Sequence, residues 1–174
     1  MPATERPGGP DAAGLAATGQ GSPAPTIIPA TPGDVGFVRR LSHAVFGRFG
    51  DYRRILPPMM GWPGIATVVA TDGGRRIGFA MYALDREPGE VDLIAIAIAP
   101  TWQRRGVGRA LLQFVESQAR IMSPGEATSV RLTVAEDNAA ARGLFERAGY
   151  VRIPGDRGTY DGGQASLGMR KRLG

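Results

Sequence analysis

The feature that most narrows what this chain can fold into is a nine-residue run, residues 91–99 (VDLIAIAIA), apolar at every position but Asp92. So short and uniformly apolar a run is expected of a central strand covered on both faces, because a strand with one wet face alternates with period two. Pro100 ends it, since proline brings no amide hydrogen to a ladder. The next segment is equally restrictive. Gln103, Arg104, Arg105, Gly106, Val107, Gly108 and Arg109 form a glycine-containing turn. Beyond Gly106, the residues Val107, Ala110, Leu111, Phe114, Val115 and Gln118 recur at helical spacing, predicting an amphipathic helix to about Arg120. A buried strand passing through a glycine turn into such a helix predicts an α/β domain.

The remaining elements group around that unit. Residues 26–28 read as a short strand, and Thr31, Pro32 and Asp34 as a helix start with cap, first-turn proline and first-turn acid, the helix running to about Phe46. A shorter helix is expected over residues 51–55, interrupted by Pro57 and Pro58. Residues 66–70 and 76–84 pair as a hairpin through Asp72, Gly73 and Gly74. Further strands are expected over residues 130–134, from Tyr150 to Ile153 and over residues 165–172, with a helical stripe of Ala141, Leu144, Phe145 and Ala148 closed by Gly149. The sum is a mixed sheet of about seven strands flanked by about four helices. Residues 1–25 are mostly Ala, Gly, Pro, Thr and Ser with almost no large apolar side chain, and are expected to form a disordered tail before a single domain over residues 26–174.

Composition removes several kinds of chemistry. The chain has no cysteine, which excludes disulfides, a thiolate nucleophile and cysteine metal ligands, and the lone His43 cannot build a zinc site, so no metal is expected. No stretch is long and apolar enough for a membrane span and no secretory leader is seen, so a cytoplasmic protein is expected. The net charge of +5 is carried by scattered arginines, Lys171 being the one lysine, which speaks against a nucleic-acid surface. Arginines could equally serve a cofactor with several phosphates. His43 reads as a surface or half-buried helical residue, while Met59, Met60 and Trp62 fit an apolar substrate pocket or core packing equally well.

The turn after Pro100 has the physics of an anion site. Unpaired N–H groups at a helix start, reinforced by the helix dipole, receive phosphate oxygens, and Gly106 and Gly108 allow close approach. Arg104, Arg105 and Arg109 add charge. A nucleoside-triphosphate loop is excluded because no Lys–Ser or Lys–Thr follows the glycines, and a dinucleotide fingerprint because Leu111 stands where a third small residue belongs. A tight surface turn with solvated arginines stays open for this segment taken alone.

Taken with its surroundings, the segment resembles a known family. Residues 96–112 (IAIAPTWQRRGVGRALL) look like the acyl-CoA motif of the GNAT acetyltransferases, and residues 138–150 (NAAARGLFERAGY) resemble that superfamily's second signature, an Asn opening a helix that ends in Gly and an aromatic. Residues 165–173 are similar to its last strand, and the branch most resembled is that of the ribosomal-protein alanine N-acetyltransferases. The resemblance implies a mostly antiparallel sheet with a V-shaped splay at the acyl-CoA site. It implies that Ile96, Ala97 and Ile98 meet the pantetheine arm, that residues 104–109 hold the pyrophosphate together with Gln103, and that Asn138 contacts the cofactor as well as capping its helix. The implied reaction moves acetyl from acetyl-CoA to a primary amine, whether a protein N-terminus, a lysine or a small amine, in a monomer or a homodimer.

Acetyl transfer needs a neutral amine, hence a base. Many GNAT enzymes use a carboxylate of the pantetheine strand, which points here to Asp92, with Glu90 two residues earlier on the same strand face; a solvated strand-end residue is the plainer reading. Without cysteine, direct attack in a ternary complex replaces a covalent acetyl-thiol enzyme. Two departures stand out. Phe145 occupies the place of a tyrosine that protonates the leaving thiolate, and Thr133 that of a glutamate base in the alanine-directed branch. Tyr160 matches a tyrosine that shapes the substrate site there and is the first substitute for the missing acid. A catalytically weak acyl-CoA sensor or scaffold is therefore the alternative.

Overall fold

The computed structural model describes residues 24–87, 89–122 and 128–174, with side-chain detail for all of these except residues 85–87. The expected tail lies almost wholly outside them. In chain order the elements are β1 (Thr26–Pro29), α1 (Val35–Phe46), α2 (Tyr52–Met59), β2 (Ile65–Asp72), β3 (Arg75–Glu87), β4 (Glu90–Ile98), α3 (Val107–Met122), β5 (Thr128–Ala135), α4 (Ala139–Arg147), β6 (Val151–Thr159) and β7 (Ala165–Leu173). Single 3-10 turns at Pro32–Asp34 and Pro100–Trp102 lead out of β1 and β4. The seven strands form one sheet in the order β1-β2-β3-β4-β5-β7-β6. Every neighbouring pair is antiparallel except β4 with β5.

That parallel pair is where the sheet comes apart. Its ladder covers only Glu90↔Ser129 to Leu93↔Leu132. Beyond it β5 stays with β7 as far as Ala135↔Ser166, while β4 follows β3 to Ile98↔Gly78. The two strands therefore diverge after Leu93 as the arms of a V.

The cause of the divergence is visible in the register. Tyr82 pairs with Leu93 but Met81 pairs with Ala95, so Ile94 is the extra residue of a bulge. A bulge reverses the inside-outside alternation. Before it, Val91 and Leu93 enter the core against α3; after it, Ala95 and Ala97 enter a second core against α1 and α2, and Ile96 and Ile98 pack on the first. The uniformly apolar run thus serves two cores in succession.

Leu111, Leu112, Val115 and Ala119 of α3 are essentially inaccessible against the sheet, each such leucine or valine contributing about 1.5–3 kcal/mol over exposure. On the other face Val38, Leu41 and Leu56 meet Val69, Phe79 and Met81. The end of α2 differs from expectation: the helix continues through Pro57 and Pro58 to Met59. It does so because its last turns close by i→i+3 bonds, Met60 N–H to Pro57 O at 3.3 Å and Gly61 N–H to Pro58 O at 3.4 Å, using the prolines as acceptors only. Buried Leu56 and Pro57 hold that turn on the core.

Candidate active site

The arms of the V enclose a cleft of about 940 Å³. Leu93, Ile94, Ala95, Ile96 and Ile98 line one side, and Leu132, Thr133, Val134 and Ala135 the other. Backbone direction along β4 follows from one bond. Ala99 donates to Ile77 O at 2.8 Å, so in antiparallel geometry Ala97 and Ala95 also turn their peptide groups toward β3. Ile96 and Ile98 between them turn theirs into the cleft. In keeping with this, the Ile98 carbonyl accepts from Gln103 Nε2 at 3.2 Å.

At the same end lies the start of α3. Ala110 donates to Gly106 O at 3.0 Å, which leaves the N–H groups of Val107, Gly108 and Arg109 without a partner inside the helix. The chain reaches this point by a sharp path: Arg104 has φ 62°, the one non-glycine residue with positive φ among the described residues, and Gly106 has φ 83°. A side chain at Gly106 would meet no protein atom, so the position opens outward; one at Gly108 would sit 3.1 Å from Leu144 and 3.2 Å from Ile98, so the absence of a side chain there eases the close approach of α3 to α4 and β4.

Gln103, Arg104, Gly106, Gly108, Arg109 and Asn138 all line the cleft together with Ile96 and Ile98. Asn138 caps α4, its Oδ1 accepting from Ala141 N–H at 3.1 Å. Three residues expected here turn away. Ala97 is fully buried in the core under α1 and α2, Val107 sends its side chain into the core under α3, and the Arg105 guanidinium stacks over Trp102 at 5.2 Å.

The two expected carboxylates sit below the fork, where β4 and β5 are still paired, and neither lines the cleft. Glu90 is ion-paired to Arg170 at 2.7 Å and accepts from Ser129 Oγ at 3.2 Å. Asp92 stands in register with Arg131, which Asp156 holds at 2.6 Å within the field of both carboxylates. Tyr160 does reach the cleft, donating to Thr133 O at 3.2 Å. Burial, with Tyr52 adding to it, pushes its hydroxyl up to about 12. Phe145 is 4% exposed and packs on Tyr150 with ring centroids 5.8 Å apart, a core residue that also lines the cleft.

Several lining residues were not expected from sequence. Phe46, Arg48, Phe49 and Tyr52 come from α1, its end and the start of α2. The α1–α2 connection also bridges the mouth of the V: Arg48 pairs with Asp137 through two bonds of 3.0 and 3.1 Å, Gln164 Nε2 donates to Arg48 O at 2.9 Å, and Gly162 N–H to Phe49 O at 3.0 Å. No local signal marked these residues, since each contact joins distant parts of the chain. By contrast Met59 and Met60 pack on the core, and Trp62 is 56% exposed off the cleft. Among the described residues no cluster of His, Asp or Glu could hold a metal, and no helix is long and apolar enough to cross a membrane.

A mixed sheet forked beside a bulge, with free peptide groups on one arm and an open helix start at its end, is the architecture of an α/β acyltransferase. The chain belongs to the acetyltransferase (GNAT) family, whose family model matches residues 39–150. This family uses acetyl-CoA as acetyl donor. Among similar proteins, L-2,4-diaminobutyric acid acetyltransferase of Nocardia farcinica is 34% identical over 85 residues, 48% of this chain and 42% of that protein. The chain spans less than half the length of the curated relatives it matches. Of solved structures, Ard1 from Thermoplasma volcanium superposes with a TM-score of 0.72 at 25% identity, covering 86% of this chain and 98% of that one. The ribosomal-protein-S18-alanine N-acetyltransferase from Escherichia coli gives 0.68 at 25% identity, covering 86% and 94%.

Proposed function

We propose that the protein transfers the acetyl group of acetyl-CoA to a primary amine by direct attack, with both substrates bound together. The observation that carries this reading is the fork itself, which puts the cleft-facing peptide groups of Ile96 and Ile98 and the open N–H groups of Gly108 and Arg109 in one cleft. A strand edge of that kind receives an amide-bearing arm as an added strand would be received. The helix start, with Arg104 and Arg109, suits the phosphates at the other end of the donor. Gln103 and Asn138 complete that end, Asn138 serving as cap and contact together.

In the transfer, the amine nitrogen bonds to the thioester carbon, the carbon–sulfur bond breaks, and the proton lost by nitrogen passes through a base or water to the departing sulfur. The N–H of Ile96 is the donor best placed for the developing oxyanion. Asp92, one residue below the first cleft-lining position, is our candidate base acting through water; Glu90, committed to Arg170, ranks behind it. Tyr160 stays protonated throughout the neutral range and so can serve as acid but not as base. The similar proteins named above act on a diamino acid and on a ribosomal-protein alanine, both of which present an amine to the donor.

Thiol release from acetyl-CoA in the presence of an amine panel tests the reaction. Turnover on at least one primary amine is expected, and Gly106→Val should abolish the thermal stabilisation given by CoA, because a β-branched side chain is strained at φ 83° and would project from the turn into the space proposed for a phosphate. Full activity of Asp92→Asn across neutral pH would remove Asp92 as base. The buried, core-packed Phe145 favours one second reading, a sensor of acyl-CoA: tight CoA binding without turnover on any amine would establish it in place of the enzyme.

A further inference from the structure

Resting on the acetyltransfer reading, we infer that the acceptor is a monoamine carried on an apolar, preferably aromatic, group, and that amines with a second positive charge are rejected. The acceptor end of the cleft is a row of rings. Phe46 lies 5.6 Å from Tyr52, Tyr52 6.5 Å from Tyr160, and Tyr160 5.3 Å from Phe49, between centroids, all four lining the cleft. Their tilted and edge-on arrangement is the one in which aromatic pairs attract, so a further ring has ready partners. The rings are half-buried or buried, and burial is the first cause that raises the hydroxyls of both Tyr52 and Tyr160.

The charges lining the cleft point the same way. Among the described lining residues the sole carboxylate is Glu116, and it is held by Lys171 at 2.7 Å against α3. Every other charged lining residue is cationic: Arg48, Arg104, Arg109, Arg147 and Lys171. Asp137 is engaged by Arg48 at the mouth, and Asp161, whose charge reaches Tyr52, is exposed and outside the lining. One ammonium entering this space gives up its proton to react, and desolvation favours that loss. A second one would stay charged, and the lining offers it no carboxylate except Glu116, which Lys171 already holds. Diamines, polyamines and aminoglycosides are therefore poor acceptors, on the order of 100-fold below an apolar monoamine of equal length in kcat/KM.

The chemistry fits two sources, a free small amine and a peptide whose first residue is apolar. Thiol release by the full chain would be compared for 2-phenylethylamine, 1,3-diaminopropane, spermidine, an aminoglycoside, and short peptides beginning with Phe or Lys. Preference for the phenyl amine or the Phe peptide over its charged counterpart supports the inference, and the better of the two names the source. Preference for any polycation overturns it while leaving acetyltransfer intact, whereas no turnover on any amine overturns the acetyltransfer reading itself. Tyr52→Ala should raise the KM of the phenyl amine about tenfold with the KM of acetyl-CoA unchanged, and Tyr52→Phe should restore it. A parallel rise in both constants, or no rise in either, would count against the ring row as the acceptor's seat.

Discussion

Asp34 is 2% exposed, yet it is held as a carboxylate. Burial alone would raise its pKa, but bonds from the Thr31 N–H and Oγ1, both 2.8 Å, and from Arg76 outweigh it and keep the group below the ordinary aspartate range. The residue thereby ties the start of α1 to β3. With the folded pKa lowered, the stability it contributes is present above the unfolded value near 4 and is lost as pH falls through the folded one. Asp34→Asn should cost roughly 1–3 kcal/mol at pH 7 in denaturant melts. The difference from wild type should shrink in acid; a constant difference down to pH 2 would contradict the assignment. Sequence indicated Asp34 as a first-turn acid and no more, since its partner Arg76 is 42 positions away. Tyr160 was legible only through resemblance, and the seat of Tyr52 beside it was not legible at all.

At the scale of elements, α4 illustrates how much local pattern can specify. Asn138 caps it, and at the other end Tyr150 N–H bonds to Phe145 O and Gly149 N–H to Glu146 O, each 3.0 Å, with the rings of Phe145 and Tyr150 in contact. This is a paired-bond stop whose glycine and flanking aromatics are readable from sequence. Asn138→Ala should lower thermal stability by about 1 kcal/mol, and a larger loss in affinity for CoA than in stability would separate contact from cap. The end of α2 teaches the opposite. Two prolines forbid an ordinary helix interior, and the helix extends anyway because core burial of Leu56 and Pro57 favours a tighter turn in which no proline N–H is needed. The bulge at Ile94 was equally silent, since inserting a residue in a uniformly apolar run leaves no break in the pattern.

For the molecule as a whole, alkaline titration gives a test that no single element dominates. Tyr52, Tyr82 and Tyr160 all have hydroxyls raised by burial. A raised folded pKa means the unfolded chain gives up its protons first, so stability is complete below pH 10 and declines above it, for Tyr160 until about 12. Melting temperature should therefore fall from pH 10 upward, and Tyr160→Phe should soften the fall; an onset well below pH 10 would refute the assignment. The chain by itself determined most of the elements and the end of the cleft we propose for the donor, because a buried strand, a glycine turn and a helix start are contiguous there and act through their backbone groups. Tertiary structure alone decided the rest. It turned the side chains of Ala97 and Val107 into the cores and the Arg105 guanidinium onto Trp102, paired Glu90 with Arg170, and closed the mouth of the cleft with residues as far apart as Arg48 and Asp137, 89 positions in sequence. Periodicity reports which face of an element is buried; which distant side chains then share that face is fixed only when the sheet forks and the connections close over it.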